Sequence, residues 1–584
     1  MYQQHYYVPK NTGTLTDSLL AFGVAKTVAD IVERNAGQHD VIIQDVGSCY
    51  LIDTGAPIQE AWIECMEPWE QIRYLVGGRI TVSPELEGIA TRSVDNEWDR
   101  FRQFTKMRQQ LSERKIVGDE LRNALADLKP RPDWTVATYL GDFRMQAQGG
   151  YNVLAGQWYA SGQEFLALNL RTILSMFASL TADQDAIAKE WKQATAGSGF
   201  KDMVTASQLL NPHMGKGQNR AKANKLSMGN EKSFWLLEYL KAVGLWLASA
   251  PRNAQGADLR KNYILAPRRL VLRDHQKIYN RFRDSLWNDT PIKMDVTASL
   301  LYTETLLKYS VESEKLGIFA NGPVSNLVSG MDVGTYQLLS RNSYTMMNLA
   351  FLGLPDWMPQ ISTFADAQMF LEIIQEHRER IRSIDESRSE GYALLLQYRN
   401  FVSGNDLASF FAFCSGYSNY LISELERSHF YVKPFTETNL RRLIEMNQPK
   451  LSPILENDGF RNIATAIRRS TVIPQYRGRK TSRFDIRYGL GQDLKRKAQY
   501  PDEFVRALAD FMQSYNEETV RVYERTKGQS RRKAITTNDI EAVVVLVDEY
   551  GSETICNLLV AFGYARDPKE KVEETDNAKS TEEA

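Results

Sequence analysis

The residues of this chain best suited to chemistry are cations set among glycines and aromatics. Between 209 and 252 the sequence LLNPHMGKGQNRAKANKLSMGNEKSFWLLEYLKAVGLWLASAPR opens on the turn pair Asn211-Pro212. A glycine-bearing loop then carries Lys216, Arg220, Lys222, Lys225 and Lys232 against one acid, Glu231, with Asn219 among them. Phe234, Leu237, Leu240, Lys241, Gly244 and Leu245 follow at spacings that predict a helix with one apolar face. Backbone N–H groups approach a ligand closely where side chains are absent, and a helix start favours negative charge. Such a loop suits phosphate. The same composition also describes an ordinary solvated loop.

Two other stretches concentrate positive charge, although the net charge of the chain is only −1. Residues 252–283 carry Arg260, Lys261, Arg268, Arg269, Arg273, Lys277, Arg281 and Arg283, with Tyr263, Tyr279 and Phe282 between them. Residues 461–497 hold eleven basic side chains against Asp485 and Asp493, centred on Arg477, Arg479, Lys480 and Arg483 and interleaved with Tyr476, Phe484 and Tyr488. A second knot runs from Arg525 to Lys533. Cations neutralise phosphates while rings stack on bases, so this is the composition of a nucleic-acid surface. ILAPRRLVLRD also reads as a strand entering a turn, which would make some of its arginines structural. Docking of an acidic protein partner is the competing use of such patches.

Catalytic motifs are scarce. Asp53-Thr54-Gly55 has the lettering of an aspartic protease, but that mechanism needs a second carboxylate and no second copy is present. His39-Asp40 is a lone HD pair without histidines at metal-ligand spacing. Neither a phosphate-binding G-x-x-x-x-G-K-[ST] loop nor H-E-x-x-H nor G-x-S-x-G occurs. Cys49, Cys65, Cys414 and Cys556 are too far apart for a zinc ribbon and fit a reducing cytoplasm. The expectation is a protein that is not an enzyme and uses no metal or cofactor.

The elements that must position these residues change character along the chain. Residues 13–35 read as one amphipathic helix capped by Thr16 or Asp17. VIIQDV at 41–46, CYLID at 49–53 and YLVGGRITV at 74–82 read as strands. Residues 94–128 predict a charged surface helix, and Gly149-Gly150-Tyr151-Asn152 either a ligand-approaching loop or a packed turn. From Phe364 nearly every segment has helical periodicity, including 367–384, 406–426, 436–448 and 501–526. The expected class is α+β: a mixed region over 1–364, a helical bundle over 365–566, and a disordered acidic tail over 567–584. The most apolar helix, 234–248, is too short to span a bilayer.

The pattern NPHMGKGQNRAKAN followed by SFWLLEYLKAVGLW, with a mixed first part, a helical last third and basic loops in both, resembles the large subunits of type I CRISPR Cascade effector complexes, I-B-like. The resemblance implies a non-catalytic subunit in defence or in a CRISPR-associated transposon. Guide RNA would read target double-stranded DNA while this chain checks the protospacer-adjacent motif and helps to open the R-loop. It implies contacts from Lys216, Asn219, Arg220, Lys222 and Lys225, with Arg268 and Arg269 nearby, and displaced-strand contacts from Arg477, Arg479, Lys480 and Arg483. Other Cascade subunits, and a recruited helicase–nuclease or a transposon target-selection protein, would be its partners. The C-terminal bundle would resemble a Cascade small subunit, and Met446 offers an internal start for a separate one. A near-neutral net charge departs from a simple basic DNA binder and points to subunit contacts over much of the surface.

Overall fold

A computed structural model describes residues 2–37, 39–78, 80–214, 231–319, 322–341, 343–404, 406–477, 484–528 and 532–566. The protein is α+β and divides into two compact units. One comprises Met1–Pro291 with Ser325–Leu354, the other Ile292–Val324 with Pro355–Ala584. Where the sequence shows one change of character near 364, the chain passes between units earlier as well. Residues 292–324 carry a helix into the second unit before a hairpin returns to the first. The expected acidic tail lies outside the described residues.

The first unit holds two antiparallel four-stranded sheets. One runs His5–Pro9, Cys49–Asp53, Ile42–Asp45 and Arg269–Val271 in spatial order. The other runs Ser343–Gly353, Val328–Ser340, Leu259–Pro267 and Ser249–Asn253. The helix Leu15–Ala36 packs on strands of both sheets and on the helix Trp235–Ala248. Its N-cap is Thr14 rather than Thr16 or Asp17, because the Asp17 carboxylate is taken by the backbone N–H groups of Thr12 and Gly13. The expected strand over 74–82 shrinks to Tyr74–Val76, since Gly77 and Gly78 turn the chain at positive φ. The Gly149–Asn152 segment is the first turn of the helix Gln148–Ala160, and Asn152 receives the Leu75 N–H and donates to the Leu75 carbonyl. That makes it a packed turn.

In the second unit the sequence marks helix starts at Pro501 and at Thr537 or Asn538; the helix Thr537–Tyr550 begins at Thr537 and is capped by Thr536 just before it. Asp406, Thr436 and Thr536 accept backbone N–H groups at three N-termini, and Pro501 sits in the first turn of Pro501–Arg525. Trp357, His377, Tyr398, Phe401 and Phe410 form an aromatic core, with Trp357 stacked on Phe401 at 4.8 Å. Buried Glu304 pairs with Arg378 at 2.6 Å and Lys308 at 2.7 Å.

Candidate nucleic-acid interface

The sequence puts the phosphate-binding residues in three places. Lys216, Asn219, Arg220, Lys222 and Lys225 lie outside the described residues, as do Arg479, Lys480 and Arg483. Arg477 ends the helix Val472–Arg477. What the structure describes is the platform from which the first loop departs. Asn211 donates to Glu238 at 2.8 Å, and the Lys241 ammonium bonds Asn211 at 2.6 Å and Glu238 at 2.7 Å. Glu238 is 1% exposed and Lys241 7%. Glu238 and Lys241 are one helical turn apart on Trp235–Ala248, so one buried triad clamps the turn before the loop to the helix after it.

Arg268 and Arg269 are both exposed. Their backbone N–H groups bond the Leu327 carbonyl, and Arg269 pairs across the sheet with Gln44. The helix Leu272–Ser285 begins directly after this edge strand. Its inner face is Leu272, His275, Ile278, Tyr279, Phe282 and Arg283, all buried. Arg273, Lys277 and Arg281 recur every four residues on the opposite face, where Lys277 and Arg281 are exposed. Arg273 is partly engaged, pairing with Asp40 at 3.3 Å. Together with Arg268 and Arg269, on the strand that directly precedes this helix, they make up the basic stripe of the first unit.

Other cations of 252–283 do not join it. Arg260 is buried and ion-paired with Asp142, and its guanidinium lies 4.8 Å over the Tyr344 ring. Lys261 reaches the Pro291 carbonyl at 2.9 Å. Arg283 donates to the carbonyls of Ser249 and Trp246, each at 2.8 Å. A buried cation that satisfies backbone carbonyls is structural. In the second unit, Arg468 is also internal, bonding Glu437 at 2.6 Å and the Phe562 carbonyl at 2.9 Å. Arg532 is held by Glu518 at 2.8 Å and lies 3.5 Å over the Phe484 ring. Lys495 and Arg496 remain exposed there.

The motif lookalikes resolve as turns. Asp53 accepts the Gly55 N–H at 2.9 Å and Gln4 at 3.0 Å, with Gly55 at φ +73°, so Asp-Thr-Gly closes a strand end. His39 and Asp40 brace Arg273. Among the described residues, no group of three or more His, Cys, Asp or Glu side chains is placed to hold a metal ion. None of their helices is long and apolar enough to cross a membrane. Compared with known protein families and with curated proteins, the chain matches none.

Proposed function

We propose that this chain is a non-catalytic subunit of an RNA-guided DNA-targeting complex of the type I Cascade kind, working in the cytoplasm. In that role it recognises the protospacer-adjacent motif, helps to unwind the target duplex and holds the displaced strand. The observation that carries the reading is the basic stripe of Arg268, Arg269, Arg273, Lys277 and Arg281, a row of cations with the buried arginines of the same segment set apart from it. Such a row contacts phosphates regardless of sequence, as a subunit must when base pairing with a guide supplies specificity. The basic residues between 215 and 230, which fall in sequence between Asn211 and the Glu238–Lys241 pair that it bonds, are assigned to adjacent-motif contacts.

A protein-docking reading is favoured by a separate feature. The strand Ser343–Gly353 is a sheet edge, and Met347, Leu349 and Phe351 are exposed at alternate positions on it. An apolar edge of this kind takes another protein surface. Within a Cascade-like complex it would meet a neighbouring subunit; in a scaffold it would be the principal site.

Co-purification of tagged protein expressed with its neighbouring genes, followed by sequencing of bound RNA, decides between them. Recovery of one repeat-derived RNA of guide length with other subunits supports the proposal. A complex of proteins without RNA overturns it in favour of the scaffold.

A further inference from the structure

The first unit contains a cavity of about 290 Å³ whose walls are aromatic and whose floor is cationic. Phe101 stacks on Trp134 at 4.3 Å with the rings 21° apart, and Trp98 meets Trp134 edge-on at 5.4 Å. Opposite, Phe104 and Trp287 run nearly parallel, 14° apart at 6.3 Å. Trp98, Phe101 and Trp134 are only half-buried, and Trp287 is 42% exposed. Four large rings left partly uncovered around one opening forgo burial that a closed core would give them. The Arg108 guanidinium lies over the Trp287 ring, 4.5 Å from its centroid.

The floor is made by Arg252, Arg260 and Arg283. Arg252 is 5% exposed and donates only to neutral oxygens: the carbonyls of Leu286, Pro251 and Arg283, and the Thr135 hydroxyl. Arg283, 4% exposed, likewise bonds carbonyls. Among the described residues neither makes a direct ion pair; Asp133 and Asp284 lie near Arg283, and Asp284 near Arg252, without bonding to them. Burial, with Arg283 beside it, pulls Arg252 down to about 10, which leaves it charged at neutral pH. Arg260, 5% exposed, spends one nitrogen on Asp142, while its Nε and Nη1 have no acceptor. The one carboxylate in the lining, Asp284, is occupied by Lys129 at 2.6 Å. Amides complete the rim: Asn253, Gln255 and Asn288 are exposed there, with Asn288 Oδ1 accepting the Asn253 backbone N–H at 3.2 Å and Gln255 Nε2 donating to the Asn288 carbonyl at 2.9 Å, which leaves the Asn253 side-chain amide to meet a base edge.

We infer that this cavity binds one unstacked nucleobase between its aromatic walls, with the attached phosphate drawn toward the arginine floor. Its volume suits a single base-sized ring system. Ring faces stack on any base, amides read a base edge, and three guanidinium groups in one floor, of which Arg260 alone is ion-paired, favour an anion over a neutral aromatic side chain. The base belongs to a single-stranded nucleic acid or to a free nucleotide, two sources of the same chemistry. The strand source rests on the nucleic-acid reading proposed above, whereas the free nucleotide does not.

The test uses the full chain, wild type and Trp287→Ala, with Asn253→Ala as a second exposed variant. Thermal melts establish that each is folded. Three probes are titrated: a single-stranded DNA 12-mer, an abasic oligomer of equal length and charge, and AMP. The inference expects the base-bearing oligomer to bind wild type about tenfold more tightly than the abasic one, with Trp287→Ala erasing most of that ratio. Equal affinity for the two oligomers with no AMP binding overturns the cavity assignment and leaves phosphate binding intact. AMP binding that Trp287→Ala weakens, without binding of either oligomer, keeps the cavity and overturns the strand source. Base preference unaffected by both variants, or no binding of any probe, overturns the inference.

Discussion

Gly23 and Gly244 lie against each other's helices in a reciprocal contact. A Cβ on Gly23 would sit 1.9 Å from the Leu240 carbonyl oxygen, and a Cβ on Gly244 would sit 1.9 Å from that of Leu19. Each glycine is four residues from the carbonyl its partner meets, so the two i, i+4 ridges interlock where Leu15–Ala36 crosses Trp235–Ala248. Backbone, not a flexible side chain, blocks the added carbon. Gly23→Ala and Gly244→Ala are each expected to cost about 3 kcal/mol or more, because the helices must separate. Gly149→Ala, at a helical position with open space around it, should be neutral or stabilising by up to about 1 kcal/mol. Urea unfolding of the three variants checks this. Near-native stability of Gly244→Ala would refute the close crossing.

The crossing also sets the register of the Asn211–Glu238–Lys241 triad. Removing one partner of a buried ion pair strands the other charge, which costs roughly 3–5 kcal/mol. Glu238→Gln is therefore expected to destabilise strongly, with the Lys241 ammonium left in a site that is nearly closed to water. Glu238→Gln combined with Lys241→Met should recover a large part of the loss, since both charges are gone. If the double variant is as unstable as the sum of the two single ones, the pair is not coupled as the geometry requires.

Two buried histidines and one acid give stability opposing pH dependences. Burial draws His275 and His377 down to about 3, so each is neutral when folded. The unfolded chain takes up protons below about 6.5, and stability present above that pH is lost as pH falls toward 3. Asp332 is pushed up to about 6, first by burial and then by the Asp17 charge. Its contribution is full below the ordinary carboxylate range and declines as pH rises through 6. Asp332→Asn should thus raise stability at pH 7 by roughly 1–2 kcal/mol, with the gain vanishing near pH 4. Melting curves from pH 4 to 8 measure it, and a gain independent of pH would contradict the assignment.

Local signals in the sequence were enough for the second unit's helices, because their apolar periodicity and the starts at Pro501 and Thr537 act irrespective of tertiary context. The inward or outward direction of the arginines was harder to read. Arg283 shares the helical period of His275, Tyr279 and Phe282, so its burial was present in the pattern but masked by its charge. Arg260 and Lys261 stand on Leu259–Pro267, a strand buried on both faces, where no alternation separates inside from outside. The cavity was illegible for a different reason. Trp98, Trp134 and Trp287 come from three separated segments, and only the fold brings their rings together.

The same distinction yields the test of the interface. Arg268, Arg269, Lys277 and Arg281 are exposed, and the sheet and helix that carry them owe their packing to other residues. Changing all four to Ala should leave the melting temperature nearly unchanged and weaken binding to duplex DNA. The log–log salt slope should shrink by about 0.9 for each phosphate contact removed. Arg283→Ala should do the opposite. It deprives the Ser249 and Trp246 carbonyls of their donor inside the core, lowering stability without first reducing the slope. Salt-dependent binding isotherms and melts on both variants separate the cases. A fourfold variant that keeps both the affinity and the slope of the wild type would remove the stripe as the interface and transfer that role to the basic residues of the second unit.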